Sequence, residues 1–358
     1  MEVKTYFNDF LSNIRLTENQ ENNLKSGHST LRKRLLEDED ISSIIVNTFL
    51  QGSYRRATAV RPKNGNKSDV DVIVVTNLDT TEYTPQEALD LFIPFLDKYY
   101  EGKYKMQGRS IGIELSYVEL DLVITSAPSE SQKELLTTES VLTSYSIDEL
   151  ENWSLSKSWN VNNQQVADEP AWKTEPLLIP DRDAGKWEKT DPLAQIKWTW
   201  NKNAACNRHY VNLVKALKWW KKLNPEPKYP KGYPLEHLIG ACCPDGIESV
   251  AKGVTFTLEN IVSEHPEKPI LKDHGVPEHD VFKRINDEEY EEFFDLVTEA
   301  ASLARQALDS TDKVESIELW RELFGSKFPE PPASVKKSQN GFTPRTEQTS
   351  SVSGGRFG

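Results

Sequence analysis

Two polar clusters, one at Gly52 and Ser53 and the other at Asp69 and Asp71, restrict what this chain can fold into more than any other feature. The first follows an apolar run rich in β-branched residues and the second opens another, so both adjoin predicted strands. Residues two apart in a strand point to the same face, which places the two aspartates side by side. Such carboxylates repel each other unless a cation lies between them. The pattern therefore predicts a metal site, because Mg²⁺ takes oxygen ligands of this kind, usually together with substrate phosphates.

The turn at Gly52 and Ser53 predicts a phosphate-binding segment, with Gln51 directly before it. Glycine lets a phosphate approach the backbone, and the serine hydroxyl and free N–H groups can bind it. Taken alone, an Asp-x-Asp is usually a solvated strand edge, and a Gly-Ser pair is usually a simple turn. Their order, with an apolar strand directly after Asp71, is much more specific than either motif alone.

This order of motifs resembles the polymerase-β-like nucleotidyltransferases, and the resemblance implies a third carboxylate from a neighbouring strand. The next predicted strand offers Glu119 and Asp121 on one face. Asp121 is chosen as the third carboxylate because it precedes an apolar run, as Asp71 does. Glu119 is interpreted as a charged residue at a strand start or as a residue with a supporting role. Asp69, Asp71 and Asp121 are then expected to be catalytic and to hold two Mg²⁺ ions, with Mn²⁺ as an alternative.

The predicted elements change in type along the chain, from mixed α/β to all-helical. Helices are predicted at 17–37, at 84–100 with a kink at Pro94, and at 287–309, and strands at 44–50, 70–75 and within 109–125. Residues 126–190 lack a clear period and are interpreted as a long connection with short helices. The fold class is therefore α/β plus all-α: a polymerase-β-like core with a mixed sheet, followed by a helical domain in a bilobed arrangement.

Three segments are predicted from this order. Residues 1–190 are the catalytic core with an N-terminal spine helix, residues 191–328 are a helical nucleotide-binding domain, and residues 329–358 are a disordered tail. The tail is rich in Pro, Ser, Thr and Gly and poor in large apolar residues. It holds four basic and two acidic residues, so the acidic excess of the chain belongs to the folded part.

Composition excludes several classes of protein. The net charge of −13 argues against binding long nucleic acid through bulk electrostatics. Three cysteines are too few and too odd in number for a disulfide scaffold, which fits a reducing cytosol. No apolar run approaches ~18 residues, and the N-terminus lacks the pattern of a signal peptide, so a cytoplasmic protein without a membrane span is expected.

Two interpretations are open for Cys206, His209, Cys242 and Cys243. They are a zinc site and a set of buried thiols. Cys206 and His209 have a two-residue gap, which zinc ligands often have. Adjacent cysteines in a helix, however, cannot easily place both sulfurs on one ion. Buried thiols are therefore favoured over a metal site.

Further stretches resemble the bacterial cGAS/DncV-like nucleotidyltransferases, the synthases of cyclic-oligonucleotide antiphage signalling. They lie at 179–181, 191–196, 213–220, 231–236 and 319–325, and the likeness spans about residues 5–328. The stretch at 231–238 and the C-terminal Gly-Arg-Phe-Gly are most similar to clade D of that family. The resemblance implies a cyclic trinucleotide second messenger made from ATP and GTP and read by an effector protein.

The resemblance also implies nucleotide-binding residues in the helical half. Lys215, Lys218 and Lys222 share one face of a predicted helix, and the family pattern assigns the triphosphate to Lys218. A solvated face is favoured for the other two lysines. Relatives carry a Ser-Tyr pair after this helix, where this chain has Gly232 and Tyr233, so Gly232 offers only its backbone. Tyr233 is expected to stack on a base, with a core position at a helix start as the alternative.

By resemblance, the C-terminal Gly358 is joined to a target by an E1/E2-like conjugating partner.

Other functions remain open beside the synthesis of a cyclic oligonucleotide. The rivals are a nucleotidylating toxin or RNA tail-adding enzyme, a binding module with an inactive site, and an interaction protein that acts mainly through its tail. The acidic charge weighs against long RNA, and the presence of all three carboxylates weighs against an inactive site.

Overall fold

One mixed sheet organises the first half of the molecule. A computed structural model describes residues 1–63, 65–127 and 176–332 of the chain. Within these ranges the strands are β1 (Ile45–Gln51), β2 (Asp69–Thr76), β3 (Tyr104–Met106), β4 (Ile111–Glu114), β5 (Glu119–Ser126), β6 (Leu177–Asp181) and β7 (Lys186–Thr190). Their order is β1-β2-β5-β4-β3, and β6 pairs with both β5 and β7. Only β2 and β5 run parallel among these pairs, so the mixed sheet predicted from the sequence is confirmed.

Helices cover the sheet and make up the second half. In the first half they are α1 (Lys4–Ile14), α2 (Glu18–Glu37), α3 (Gly52–Arg55), α4 (Pro85–Asp90) and α5 (Ile93–Tyr100). In the second half they are α6 (Pro192–Ala205), α7 (Tyr210–Leu223), α8 (Tyr233–Cys242), α9 (Val250–Glu264), α10 (Asp287–Asp309) and α11 (Lys313–Phe324). The helical character predicted for this half is confirmed. Among the residues that the structure describes, no helix is long and apolar enough to cross a bilayer.

Local sequence signals explain where several helices begin. Capping boxes start α2, α4 and α10, where the N-cap side chain and the side chain three residues later satisfy each other's backbone N–H groups. The helix predicted at 84–100 is in fact two helices, α4 and α5. Pro94 lies in the first turn of α5, where its missing N–H has no intrahelical partner to lose. The predicted kink is therefore a complete break.

Each half has one main hydrophobic core, and a third, smaller cluster lies on the other face of the sheet. The sheet core packs α2, α4 and α5 against β2 and β5. The helical core includes α1, whose Phe7 and Phe10 rings lie 4.9 and 4.6 Å from the Trp320 and Phe324 rings of α11. Within the described residues, helix α1 thus packs on helix α11, because the aromatic residues of α1 recur at helical spacing. The domain boundaries at residues 190 and 328 stay a prediction.

The interpretation of residues 126–190 as a connection with short helices is wrong for its last part. Residues 177–190 form the hairpin β6–β7, closed by a turn in which Gly185 has a φ of 64°. The hairpin joins the sheet through the Ser126–Leu178 pair. Pro180 within β6 obscured the strand pattern, since proline is unusual inside a strand. The rest of this segment, and nearly all of the predicted tail, lie outside the described residues.

Candidate active site

A cavity of about 1090 Å³ lies between the sheet and helices α7 and α8. Its walls are rich in basic residues although the whole chain has a net charge of −13. The basic residues are Arg56, Lys63, Lys67, Arg109, Lys218, Lys221, Lys222, Lys228 and Lys231, and the acidic ones are Asp69, Asp71, Glu119 and Glu236. A positive charge excess of this kind favours an anionic ligand.

Gly52 begins α3 directly after β1 and brings the backbone onto Asp71. Its φ of 76° is in the region that glycine tolerates best. A Cβ added there would lie 1.7 Å from Asp71 Oδ2, so any side chain at this position would displace the carboxylate. Gln51, Gly52 and Ser53 all line the cavity. The sequence-predicted segment is therefore next to the predicted aspartates.

The parallel register of β2 and β5 brings the predicted carboxylates together. Asp71 pairs with Asp121 across the two strands, and Asp69 pairs with Glu119. Burial and the neighbouring Asp121 and Asp69 carboxylates raise the pKa of Asp71 to about 7, against the opposing effect of Arg56. Burial and Asp69 also raise the pKa of Asp121, whose Oδ1 accepts a hydrogen bond from Gln107 Nε2 at 3.2 Å.

These carboxylates suit a hard divalent cation in chemistry. Raised pKa values mean that the sheet concentrates more negative charge than its surroundings neutralise, which a bound cation would relieve. Among the described residues, no group of three or more His, Cys, Asp or Glu side chains is arranged so that it could hold a metal ion. The fit to a divalent cation therefore rests on the strand register and on the chemistry of the carboxylate oxygens. Glu119 lines the cavity opposite Asp69, and the choice of Asp121 as the third ligand stays a prediction.

Lys218 reaches the cavity from α7 and is already paired. Its Nζ donates to Glu236 Oε1 at 2.7 Å, and its side chain is only 12% exposed. Burial alone would raise the pKa of Glu236, but the ion pairs with Arg56 and Lys218 outweigh it and lower that pKa to about 2. Glu236 is therefore an anion that faces two cations at the cavity wall.

Tyr233 is the first residue of α8 and lines the same cavity, next to Gly232. The Arg56 guanidinium lies 5.1 Å from the centroid of its ring. Burial and the nearby Asp273 raise the pKa of the Tyr233 hydroxyl, so it stays protonated. Gly232 has a φ of 59° and nothing within 4 Å of an added Cβ. The structure thus places both residues at the cavity, while stacking on a base remains a prediction.

Several neighbours of the site escaped the sequence analysis. Lys215 is 2% exposed, so the solvated face favoured for it is wrong. Lys222 is exposed and lines the cavity. Arg56 follows the phosphate-binding turn and Glu236 lies in the stretch at 231–236, but nothing in the local sequence shows that they pair across 180 residues.

The cysteines are buried free thiols, as the favoured interpretation had them. Cys206 and Cys243 have their sulfurs 3.7 Å apart. Neither forms a group with His209 or Cys242 that could hold a metal among the described residues. The geometry gives no support to zinc here.

Fold and site together define a nucleotidyltransferase, and comparison with known proteins agrees. Residues 1–125 match the Second Messenger Oligonucleotide or Dinucleotide Synthetase domain. A probable cyclic AMP-AMP-GMP nucleotide synthase of Salmonella paratyphi B and a cyclic AMP-AMP-GMP synthase of Enterobacter hormaechei are each 49% identical over 100% of both chains. A cyclic AMP-AMP-AMP synthase of Acinetobacter is 30% identical over 92% of this chain and 86% of its own.

Solved structures share the fold at low identity. Vibrio cholerae DncV in complex with ATP and GTP aligns with a TM-score of 0.68 and 13% identity, over 92% of this chain and 96% of its own. Escherichia coli CdnC with ATP aligns with a TM-score of 0.65 and 16% identity, over 92% and 100%. The chain belongs to the cGAS/DncV-like nucleotidyltransferase family. Its assignment to clade D stays a prediction.

Proposed function

We propose that this chain makes cyclic AMP-AMP-GMP from ATP and GTP in the cavity between the sheet and α7–α8. The observation that carries the proposal is 49% identity over the full length of two cyclic AMP-AMP-GMP synthases. The basic cavity supports it, because nucleoside triphosphates are compact polyanions. The 30% identical cyclic AMP-AMP-AMP synthase makes the base composition of the product the feature to be tested first.

The proposed reaction joins a ribose hydroxyl of one nucleotide to the α-phosphate of another, and pyrophosphate leaves. Asp69, Asp71 and Asp121 would hold two Mg²⁺ ions, or Mn²⁺, which supply acidification of the hydroxyl and neutralisation of the leaving group when bound. The backbone at Gly52 and Ser53 approaches the phosphates. Asp121, fixed by Gln107, orients the attacking hydroxyl. The cavity holds donor and acceptor together, which supplies proximity.

Two further contacts position the donor nucleotide in this proposal. Lys218 Nζ lies at the cavity wall and provides a compact positive charge for the triphosphate. The Tyr233 ring, which lines the cavity with Arg56 5.1 Å from its centroid, stacks on a base in this proposal. Repeating the transfer and closing the ring gives a cyclic product.

Replacing Tyr233 by alanine should raise the KM for the donor nucleotide by about tenfold or more, because base stacking is worth roughly 1–3 kcal/mol. Tyr233→Phe keeps the ring and should change KM by less than about threefold. Steady-state kinetics with one nucleotide varied at a time measures both. Equal KM values for the two variants would assign Tyr233 to core packing instead.

The C-terminal residues serve regulation in this proposal, in antiphage defence signalling. Gly358 is the site at which an E1/E2-like partner joins the chain to a target, and a separate effector protein reads the product. Residues 333–358 lie outside the described part of the chain, so the proposal rests on the resemblance.

Deleting Phe357 and Gly358 should abolish conjugates of the chain in cells that hold the partner, because the new C-terminal residue, Arg356, carries a bulky side chain where the conjugating partner accepts a glycine. Purified enzyme with this deletion should keep wild-type synthesis, since the cavity is unchanged. Immunoblots for conjugates and product yields measure the two effects. Normal conjugates from the shortened chain would refute the assignment of Gly358.

Incubation with labelled ATP, GTP, CTP and UTP and Mg²⁺, followed by phosphatase, tests the proposed function against its rivals. A resistant product that contains adenine and guanine supports the synthase. Label on added RNA or on a protein would instead indicate a tail-adding enzyme or a nucleotidylating toxin. Absence of any product would contradict the proposal.

A further inference from the structure

We propose that Glu236 is a positioning residue of the synthase, which fixes Lys218 and Arg56 at the cavity wall and joins the phosphate-binding segment to the helical half. This inference rests on the proposed function. It assigns to Glu236 an effect on the turnover number that acts through the cations it holds, rather than through contact with the nucleotide.

Three donors converge on one buried carboxylate. Arg56 Nε donates to Glu236 Oε2 at 3.1 Å, and Thr58 Oγ1 donates to the same oxygen at 2.9 Å. Lys218 Nζ donates to Oε1 at 2.7 Å. The side chains of Arg56 and Glu236 are each 5% exposed. Hydrogen bonds of charged groups in such a dry setting are stronger and more directional than exposed ones.

The network connects the two walls of the cavity. Arg56 and Thr58 follow Gly52 and Ser53 directly, at the end of α3, whereas Lys218 and Glu236 belong to α7 and α8. The backbone of the segment is closed on itself, since the Thr58 N–H donates to the Ser53 carbonyl at 2.9 Å. Holding Thr58 therefore holds Ser53. Glu236 is the anion through which the helical half sets the position of that segment.

The summed charge of Arg56, Lys218 and Glu236 determines the electrostatic environment of a substrate at this wall of the cavity. Two cations and one anion leave a single positive charge in excess at this point of the wall. Lys218 is held in place before a triphosphate arrives, so little side-chain freedom is lost on binding. A neutral residue at position 236 would leave more positive charge and less order.

Glutamine cannot replace this carboxylate although it has the same shape. Glu236 accepts through both oxygens, while an amide has one acceptor oxygen and a donor NH₂ group. The NH₂ group would face either Lys218 or Arg56, so one cation would be displaced. With glutamine at position 236, the affinity for the nucleotide should stay close to that of the wild type, because the wall gains positive charge. The reacting groups should be less well aligned.

The test is a double-mutant cycle on the kcat of product formation, with Glu236→Gln and Lys218→Met. Glu236→Gln should lower kcat about 10- to 100-fold, since small misplacements in an active site cost this much. Its KM should stay within about threefold of wild type. Because Glu236 acts in part through Lys218, the loss in the double variant should be well below the product of the two single losses. Calorimetric titration with a non-hydrolysable ATP analogue gives the fraction of folded, binding-competent enzyme.

A matched control is Asp38→Asn. Asp38 is a buried carboxylate that accepts from Lys98 Nζ at 2.9 Å, and it lies outside the cavity lining. Its substitution should leave kcat per binding-competent enzyme unchanged. If Glu236→Gln does not fold, Glu236→Asp enters the same cycle, since it keeps the charge and shortens the reach by one methylene.

The possible outcomes distinguish a failure of the role of Glu236 from a failure of the proposed synthase function. An active wild-type enzyme whose Glu236 variant keeps wild-type kcat overturns this proposal alone. Losses that multiply in full between positions 236 and 218 also overturn it, because independent structural damage behaves that way. A wild-type enzyme that forms no product overturns the proposed function and this inference with it.

Discussion

Replacing Asp69 and Asp71 together by asparagine should lower product formation at least about 10³-fold, since two of the three anionic ligands of the proposed metal site are lost. The Tm should stay within a few degrees of wild type or rise. The sign follows from the pKa of Asp71, which burial and the neighbouring carboxylates raise to about 7. A group whose folded pKa is raised costs stability when it is ionised, so at neutral pH a neutral residue there relieves repulsion.

The measurement pairs initial rates in Mg²⁺ with a thermal melt of the same preparations. Asp97→Asn is the matched control, because Asp97 is an exposed carboxylate that accepts from the Tyr104 hydroxyl at 2.7 Å, away from the cavity. It should keep wild-type rates. Retained synthesis in the double variant would contradict the assignment of the two aspartates, and a collapsed Tm would give them a structural role instead.

Gly52→Ala should lower kcat at least about 100-fold, because it displaces a reacting group. The added Cβ would lie 1.7 Å from Asp71 Oδ2, so either the carboxylate or the start of α3 must move. The backbone adds a second cost, since a φ of 76° is unfavourable for alanine by roughly 1–2 kcal/mol. Both effects should appear, one in the rate and the other in the Tm.

Gly102→Ala separates these two effects. Gly102 has a φ of 68°, and an added Cβ would meet no atom within 4 Å. This variant should lose the backbone part of the stability and keep the wild-type rate. If Gly52→Ala behaved in the same way, with a lower Tm and a normal rate, the close approach of Gly52 to Asp71 would have no catalytic meaning.

Local signals in the sequence were enough for much of the fold. Capping residues such as Thr17 and Thr84 identify helix starts because they satisfy backbone groups within one turn. The alternation of polar and apolar residues around Asp69 and Asp71 identifies a strand, because this pattern too depends only on neighbouring residues. The parallel register that pairs Asp71 with Asp121 depends on tertiary contact, and the family resemblance implied only that a third carboxylate comes from a neighbouring strand.

Long-range pairing is what the sequence could not provide. Glu236 lies 180 residues from Arg56, and no local pattern links a glutamate in an apolar helix to an arginine after a turn. Lys215 is buried because its helix is enclosed by others, although its spacing is that of a solvated face. The β6–β7 hairpin was missed because its pairing stabilises strands that proline and charged residues disfavour locally.

The most direct test of the central claim is the identity of the product made by the wild-type chain from ATP and GTP. The enzyme is incubated with each nucleotide alone and with both, in Mg²⁺, and the products are treated with phosphatase and analysed by mass spectrometry. The account predicts a phosphatase-resistant ring of two adenylates and one guanylate, formed in quantity only when both nucleotides are present. A linear phosphatase-sensitive product, or a ring without guanine from the full mixture, would contradict it.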